Sequence, residues 1–298
     1  MPGRGRRLLL HRPDGARAPR PLRRRHRQVI GGADLDHIAV AVEHHADAWP
    51  LYVRDLGGTW YAAGPGYGFN WAQLAFGNGM RLEVLEPAEV ERNDFLRRFL
   101  DRNGPGPHHL TFKVGDIRQA LDAARVAGYP PVNVNLSDPS WQEAFLHPKD
   151  AHGVVVQLAQ AAHDDEWSPP PAELPAPGTD PAALVRVSHA VAALPDGLRL
   201  FRELLGGRRV DEGGDDIATW VELAWPGPGR VRLLEPTSPA SPLGAWLDGR
   251  RGRVHHLAFA LRDPRAVQGA VADGAGQLAI AADRGQGTRL LLATASSA

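Results

Sequence analysis

Apolar and polar positions alternate with a period of two over a series of short stretches separated by glycines, which is the pattern of half-buried strands. In residues 35–42, Ile38, Val40 and Val42 share one face and His37, Ala39 and Ala41 the other. Residues 47–56 change period: Trp49, Val53 and Leu56 are spaced for one face of a helix, and Gly57-Gly58 stops it. Strand-like stretches at 59–63, 69–76 and 80–85 follow, with glycines at 64, 66, 68, 77 and 79 as turns. The order is β-α-β-β-β. A connecting helix over 91–103 leads into a second such unit: strand 108–114, helix 117–127 with Asp116 as its cap, strands near 131–135 and 142–146, and a last strand over 153–159.

The order restarts after a proline-rich stretch. Residues 161–183 hold six prolines and read as an interdomain linker. Beyond it come a strand at 185–192, a helix at 196–205, strands at 208–212, 217–225 and 230–235, a helix near 242–249 and a strand at 254–261. A helix over 264–272 and a final strand at 288–293 complete the pattern, with one hairpin reduced. Similar phrases recur at the strand starts, Pro107-His108-His109-Leu110 and Val254-His255-His256-Leu257, which marks an internal repeat. The fold class is α+β, built from tandem paired βαβββ modules in two domains, 34–160 and 184–298.

Alternation also decides which polar residues can meet. The large aliphatic faces suit packing against helices, whereas the opposite faces carry His37, Glu83, His109 and Gln157 among small neighbours, as in a concave cup. If these faces converge, two imidazoles, a carboxylate and an amide form a set suited to Zn, Fe, Co, Ni or Mn. His108 is expected on the other face as a structural residue, and His44, His45 and His152 at exposed turns or a helix start. Asp196 reads as a helix cap.

Composition narrows the chemistry. There is no cysteine, so disulfides, thiolate metal sites and cysteine nucleophiles are excluded and a metal must be held by His, Asp, Glu or Gln. Apolar content of 43% and charged content of 23% are those of a globular protein, and no apolar run approaches the ~18 residues of a membrane span. Formal neutrality hides an asymmetry: residues 1–27 carry ten arginines against one acid, Asp14, so the rest of the chain is net acidic. The tail, 1–33, is expected to be disordered. The acidic body argues against nucleic-acid binding, and a cytoplasmic location with no membrane partner is expected; a homodimer is compatible with the sequence.

With these residues in view, the chain resembles the vicinal oxygen chelate (glyoxalase/bleomycin-resistance/extradiol dioxygenase) superfamily, and residues 35–160 resemble its methylmalonyl-CoA epimerase-like members. The resemblance rests on Asp36-His37-Ile38-Ala39-Val40, Met80-Arg81-Leu82-Glu83-Val84, His108-His109-Leu110-Thr111-Phe112 and Phe145-Leu146-His147-Pro148, followed by Gly153-Val154-Val155-Val156-Gln157-Leu158. It implies one divalent metal held by His37, Glu83, His109 and Gln157. The last ligand is usually a glutamate, so Gln157 removes a carboxylate that can also act as a base. Where the epimerase carries a further catalytic glutamate, this chain offers Trp60, Tyr61, Tyr67, Phe69, Trp71 and Gln73, which suit an aromatic or flat apolar substrate as well as an acyl thioester. In the second domain, His189 is matched to His37 and His256 to His109, but Arg232 stands for Glu83 and Leu291 for Gln157. That copy reads as degenerate, with Arg232 available to a substrate carboxylate or phosphate.

The expectation is a metal-dependent isomerase, epimerase or lyase that removes a proton alpha to a metal-polarised carbonyl, with Glu83 or Glu143 as base. An extradiol-type Fe(II) dioxygenase is the first alternative, and a non-catalytic small-molecule binding protein of the bleomycin-resistance type the second. The partner in each case is a small carbonyl or aromatic compound.

Overall fold

The computed structural model describes residues 29–162, 168–273 and 277–295, so residues 1–28 of the arginine-rich tail lie outside the described residues. Residues 29–33 do not belong with that tail. Ile30 is buried, and its amide donates to the Leu204 carbonyl at 2.8 Å.

The first domain is one eight-stranded sheet formed by β1 (Asp34–Ala41), β2 (Thr59–Pro65), β3 (Phe69–Ala75), β4 (Arg81–Pro87), β5 (Gly106–Lys113), β6 (Pro131–Asn135), β7 (Trp141–Leu146) and β8 (Val155–Ala161). Their order across the sheet is β2-β3-β4-β1-β5-β8-β7-β6. Each βαβββ unit thus forms half the sheet, and the two meet at the antiparallel pair β1–β5, flanked by the parallel neighbours β4 and β8. The four central strands are the ones that carry His37, Glu83, His109 and Gln157. The helix predicted over 47–56 is α1 (His45–Trp49), which runs straight into a π-helical turn over Pro50–Asp55. The connecting helix α2 (Phe95–Asn103) starts later than expected, and α3 (Ile117–Ala127) has the Asp116 side chain accepting from the Gln119 amide.

Two apolar layers result. On the convex face Ile38, Val40 and Val42 are fully buried in a core that is continuous with the second domain. Phe76 meets Phe259 edge-on with centroids 5.1 Å apart, and Phe112 meets Trp225 at 5.1 Å. On the concave face α2 seats Leu96 and Leu100 against Ala39, Ala41 and Leu85. Small alanines on the central strand leave the room the helix occupies.

The second sheet repeats this order as β10-β11-β12-β9-β13-β16-β15-β14, with strands β9 (Ala183–Val191), β10 (Arg208–Gly214), β11 (Ala218–Ala224), β12 (Arg230–Pro236), β13 (Gly252–Leu261), β14 (Val271–Ala272), β15 (Leu278–Ile280) and β16 (Leu290–Thr294). Its helices are α4 (Leu194–Leu198), continued by a π-helical turn over Arg199–Leu204, and α5 (Pro242–Leu247). Asp196 therefore lies inside the first turn of α4 rather than at its cap, and its carboxylate pairs with Arg199. The helix expected over 264–272 does not form. Only a 3₁₀ turn, Pro264–Ala266, is present, because Val267 is already extended and Gly269 takes a positive φ of 83°. The reduced hairpin is the two- and three-residue pair β14–β15.

The described part of the proline-rich stretch is strapped to the first domain. The Trp60 indole N–H donates to the Ser168 carbonyl at 2.7 Å, Gly178 N–H to Val53 at 3.2 Å, and Gly77 N–H to Ala182 at 2.9 Å. His152 and His189 also serve this junction. His152 is buried, not exposed as expected, and the fully buried His189 donates from Nε2 to the His152 carbonyl at 2.9 Å. Burial holds the His189 pKa down to about 4 from an ordinary 6.5. The unfolded imidazole therefore takes up a proton that the native one refuses, so stability falls as pH drops from about 6.5 toward 4. At full strength one such group gives a slope of about 1.4 kcal/mol per pH unit. Denaturant unfolding of His189→Gln near pH 5 is expected to show a slope flatter by roughly that amount; an unchanged slope would mean that His189 titrates normally.

Candidate metal centre

The metal-capable residues sit where the alternation places them, with two local exceptions that improve the site. The β1–β5 ladder pairs Ile38 with Leu110, Ala39 with His109 and Val40 with Pro107, leaving His108 as an extra residue. A second irregularity lies between Leu35 and His37, at Asp36. A bulge of this kind turns two successive side chains to the same side. His108 is therefore not on the convex face, as alternation predicts; it lines the concave side between Phe95 and Phe99, with ring centroids at 5.8 and 4.8 Å.

His37 Nε2 lies 3.5 Å from Glu83 Oε2, and His109 Nε2 lies 3.6 Å from Glu83 Oε1. One ligand atom from each residue falls within 4.8 Å of the others, which is the spacing of a shared ion. Both Nε2 atoms are buried and have no hydrogen-bond partner among the described residues. Two orphaned imidazole nitrogens facing one carboxylate would carry a desolvation cost without an ion between them. The donor set fits a divalent cation.

The opposite ring nitrogens are held as well. His37 Nδ1 donates to Asp36 Oδ2 at 2.7 Å, which leaves Nε2 as the lone-pair atom. Burial alone would raise the Asp36 pKa, but the His37 hydrogen bond and the charges of Arg81 and Lys113 keep it below the usual carboxylate range. His109 Nδ1 stands 2.9 Å from His108 Nδ1; a proton carried by His109 in that contact again frees Nε2. Burial, together with His108 and His37, holds His109 well below the ordinary imidazole pKa, so it is the neutral ring that metals bind. Gln73 Nε2 donates to Glu83 Oε2 at 3.0 Å. Asp36→Ala is expected to weaken metal binding by about 10–100-fold, since it removes the acceptor that orients His37. Chelator-competition titration measures this, and wild-type affinity in the variant would contradict it.

Gln157 adjoins the cluster from β8. Its amide oxygen accepts from Thr111 Oγ1 at 2.5 Å, and its Nε2 donates to Glu143 Oε2 at 2.6 Å. Glu143 Oε2 also accepts from the Trp141 indole at 3.0 Å. Glu143 Oε1 takes no hydrogen bond from any described residue. Above the cluster opens a cleft of about 1890 Å³. Tyr67, Trp71, Gln73, Glu83, His109, Glu143 and Gln157 line it, and Phe69, Phe95 and Phe99 add aromatic wall.

Residues 36–145 match the family described as the Glyoxalase/Bleomycin resistance protein/Dioxygenase superfamily. Over 132 residues the chain is 30% identical to the mitochondrial methylmalonyl-CoA epimerase of Homo sapiens, covering 43% of this chain and 73% of that protein. It is also 30% identical over 132 residues to the ethylmalonyl-CoA/methylmalonyl-CoA epimerase of Cereibacter sphaeroides, covering 42% of this chain and 96% of that one. The chain belongs to the glyoxalase/bleomycin resistance protein/dioxygenase superfamily. A variant of 4-hydroxymandelate synthase from Streptomyces coelicolor shares the fold over both domains, with a TM-score of 0.57, 20% identity, and coverage of 78% of this chain and 71% of that one.

Within this superfamily fold, three expected substrate contacts lie elsewhere. Trp60 packs edge-on against Trp49 at 6.2 Å and is tied to Ser168, on the convex side. Tyr61 falls at a ladder irregularity between Trp60 and Ala62 and stacks under the Arg81 guanidinium at 4.5 Å. Neither lines the cleft. Arg232 belongs to the second cup, where Glu222 and Asp211 hold it at 2.7 and 2.9 Å, so it is already paired.

The second cup also corrects the matching of the repeats. Ala39 pairs with Glu83 and His109, and its counterpart by register is Ser188, which pairs with Arg232 and His256. His189 thus corresponds to Val40, on the core face, and the residue at the His37 position is Arg186. Helix starts agree: Glu86 receives the His45 amide and Glu235 the Leu194 amide. The three positions that match His37, Glu83 and His109 hold Arg186, Arg232 and His256, so two guanidiniums and one imidazole stand where the first cup has two imidazoles and a carboxylate. Burial, His255 and the nearby arginines hold His256 far from protonation, and the same positive surroundings disfavour a cation.

Proposed function

We propose that the first cup is a divalent-metal site at which a proton is removed alpha to a carbonyl, making the protein an isomerase, epimerase or lyase. The observation that carries this reading is the convergence of two orphaned buried Nε2 atoms on Glu83, with Glu143 held at the edge of the same cluster. His37, Glu83 and His109 would hold the ion, with Gln157 as fourth ligand through its carbonyl oxygen. The ion would polarise a carbonyl and stabilise negative charge as it develops on the oxygen.

The residues around it divide the remaining work. Glu83 is pinned by Gln73 and faces both histidines, so its part is ligation rather than proton transfer. Glu143 is the base: Gln157 and Trp141 fix one carboxylate oxygen and leave Oε1 to the substrate. Trp71 and Phe69 form an apolar wall that excludes water beside the reacting carbon. Acyl-CoA thioesters, the compounds in the names of the relatives, are the favoured substrate class. Metal-loaded protein incubated with α-deuterated acyl thioesters should exchange the label with solvent, and no exchange with any divalent ion would count against the reading.

The two-histidine, one-carboxylate set also suits Fe(II) and oxygen chemistry. Oxygen uptake with catechols under Fe(II), without α-exchange, would favour that second reading.

A further inference from the structure

The second domain reaches the mouth of the first-domain cleft. Gly249 to Val254, the turn after α5 and the start of β13, line it, as does Gly287. This approach is built from backbone against backbone. At Gly153 and Gly252 a Cβ would overlap the facing main chain, and Gly106 and Gly287 form a second such contact. Gly153 also takes a φ of +85°, which glycine adopts without strain. Arg251 Nη1 donates to the Lys149 carbonyl at 3.0 Å, locking the turn across the rim.

Charge is segregated within this cleft. Among the described residues the lining carboxylates are Glu83 and Glu143, both at the floor. The lining cations are Arg98, Arg102, Lys149, Arg250, Arg251 and Arg253. Arg98 is paired with Asp94, but among the described residues none of the other five forms an ion pair. Arg253 lies over the Trp246 ring at 5.0 Å, which gives it a fixed seat beside the exposed Arg250 and Arg251. Three of these cations come from the second domain, whose own cup has Arg186, Arg232 and His256 at the positions of His37, Glu83 and His109.

We propose that the second domain supplies a phosphate-recognising wall, Arg250, Arg251 and Arg253 with Lys149 and Arg102, for a substrate that carries its phosphates away from the reacting carbonyl. The inference rests on the proposed function for the identity of the reacting end, and not for the wall itself. Guanidiniums without an ion partner present forked donors that match phosphate oxygens, and their position at the rim leaves the floor for the carbonyl.

Calorimetric titration of the full chain with inorganic pyrophosphate tests the wall without requiring catalysis. Binding is expected that weakens with added salt and falls about tenfold or more in the Arg250→Gln/Arg251→Gln/Arg253→Gln variant, with metal content equal to wild type. A second arm compares a phosphorylated acyl thioester with a phosphate-free short-chain thioester. The preference for the phosphorylated substrate should drop about tenfold or more in the variant, and pyrophosphate should compete with that substrate. Pyrophosphate that binds without competing would show a free-anion site and overturn the substrate role. No pyrophosphate binding, or equal binding by wild type and variant, would overturn the wall. Absence of exchange with either thioester, with pyrophosphate binding intact and lost in the variant, would fault the reaction and leave the wall standing.

Discussion

Replacing His109 by alanine is expected to empty the first cup of metal and to lower α-proton exchange by about a thousandfold or more. His37 and His109 each bury an Nε2 atom with no hydrogen-bond partner among the described residues, and Glu83 faces both. Removing one leaves a single ring, a carboxylate and the neutral amide oxygen of Gln157, too few strong donors to compete with water for a divalent ion. The chain contains its own control. His256 occupies the same register position in the second sheet, opposite Ser188 as His109 is opposite Ala39. His256→Ala should leave the metal content as it is, and elemental analysis of the two variants side by side separates a metal ligand from a buried structural histidine. Equal metal content in wild type and His109→Ala would refute the assignment.

Glu143→Gln should behave differently. The glutamine keeps the size of the side chain and can still accept from Trp141, but it cannot take a proton. Metal content should match wild type while kcat for exchange falls by about 10²–10⁴, the usual contribution of a positioned base. Glu83→Gln, by contrast, should lose metal and activity together. If Glu143→Gln exchanges the α-proton at the wild-type rate, the base lies elsewhere in the cleft.

Much of this site was legible in the sequence because strand alternation is a strict rule. His37, Glu83, His109 and Gln157 each stand opposite a run of aliphatic residues, and the sheet brings their four strands together at its centre. What alternation could not show is where it breaks. Bulges at Asp36 and His108 turn those neighbours toward the ligand side, and so hide the groups that orient His37 and His109. The same break at His255 and the prominence of histidine drew His189 into the wrong match. Aligning Leu35 with Leu184 and Asp47-Ala48 with Asp196-Gly197 would have placed Arg186 opposite His37 from the sequence alone.

Aromatic residues of the second strand were misplaced for a related reason. Trp60 has a convex-side neighbour in Trp49 and an acceptor in the proline-rich strap, neither of which local periodicity can reveal. That strap, and the glycine contacts that seat the second domain at the rim, depend on residues far apart in the chain. A stretch that reads as a linker by composition is, over its described part, packing material.

The central claim is that one cup holds a divalent ion and the other does not. The most direct test is the metal-to-chain ratio of the full-length protein after loading with Zn, Co, Ni, Mn or Fe(II) and removal of excess by gel filtration. The structure leads to one ion per chain, lost in His109→Ala and retained in His256→Ala. A chain that retains none of these ions, or binds one that survives His109→Ala, would contradict it.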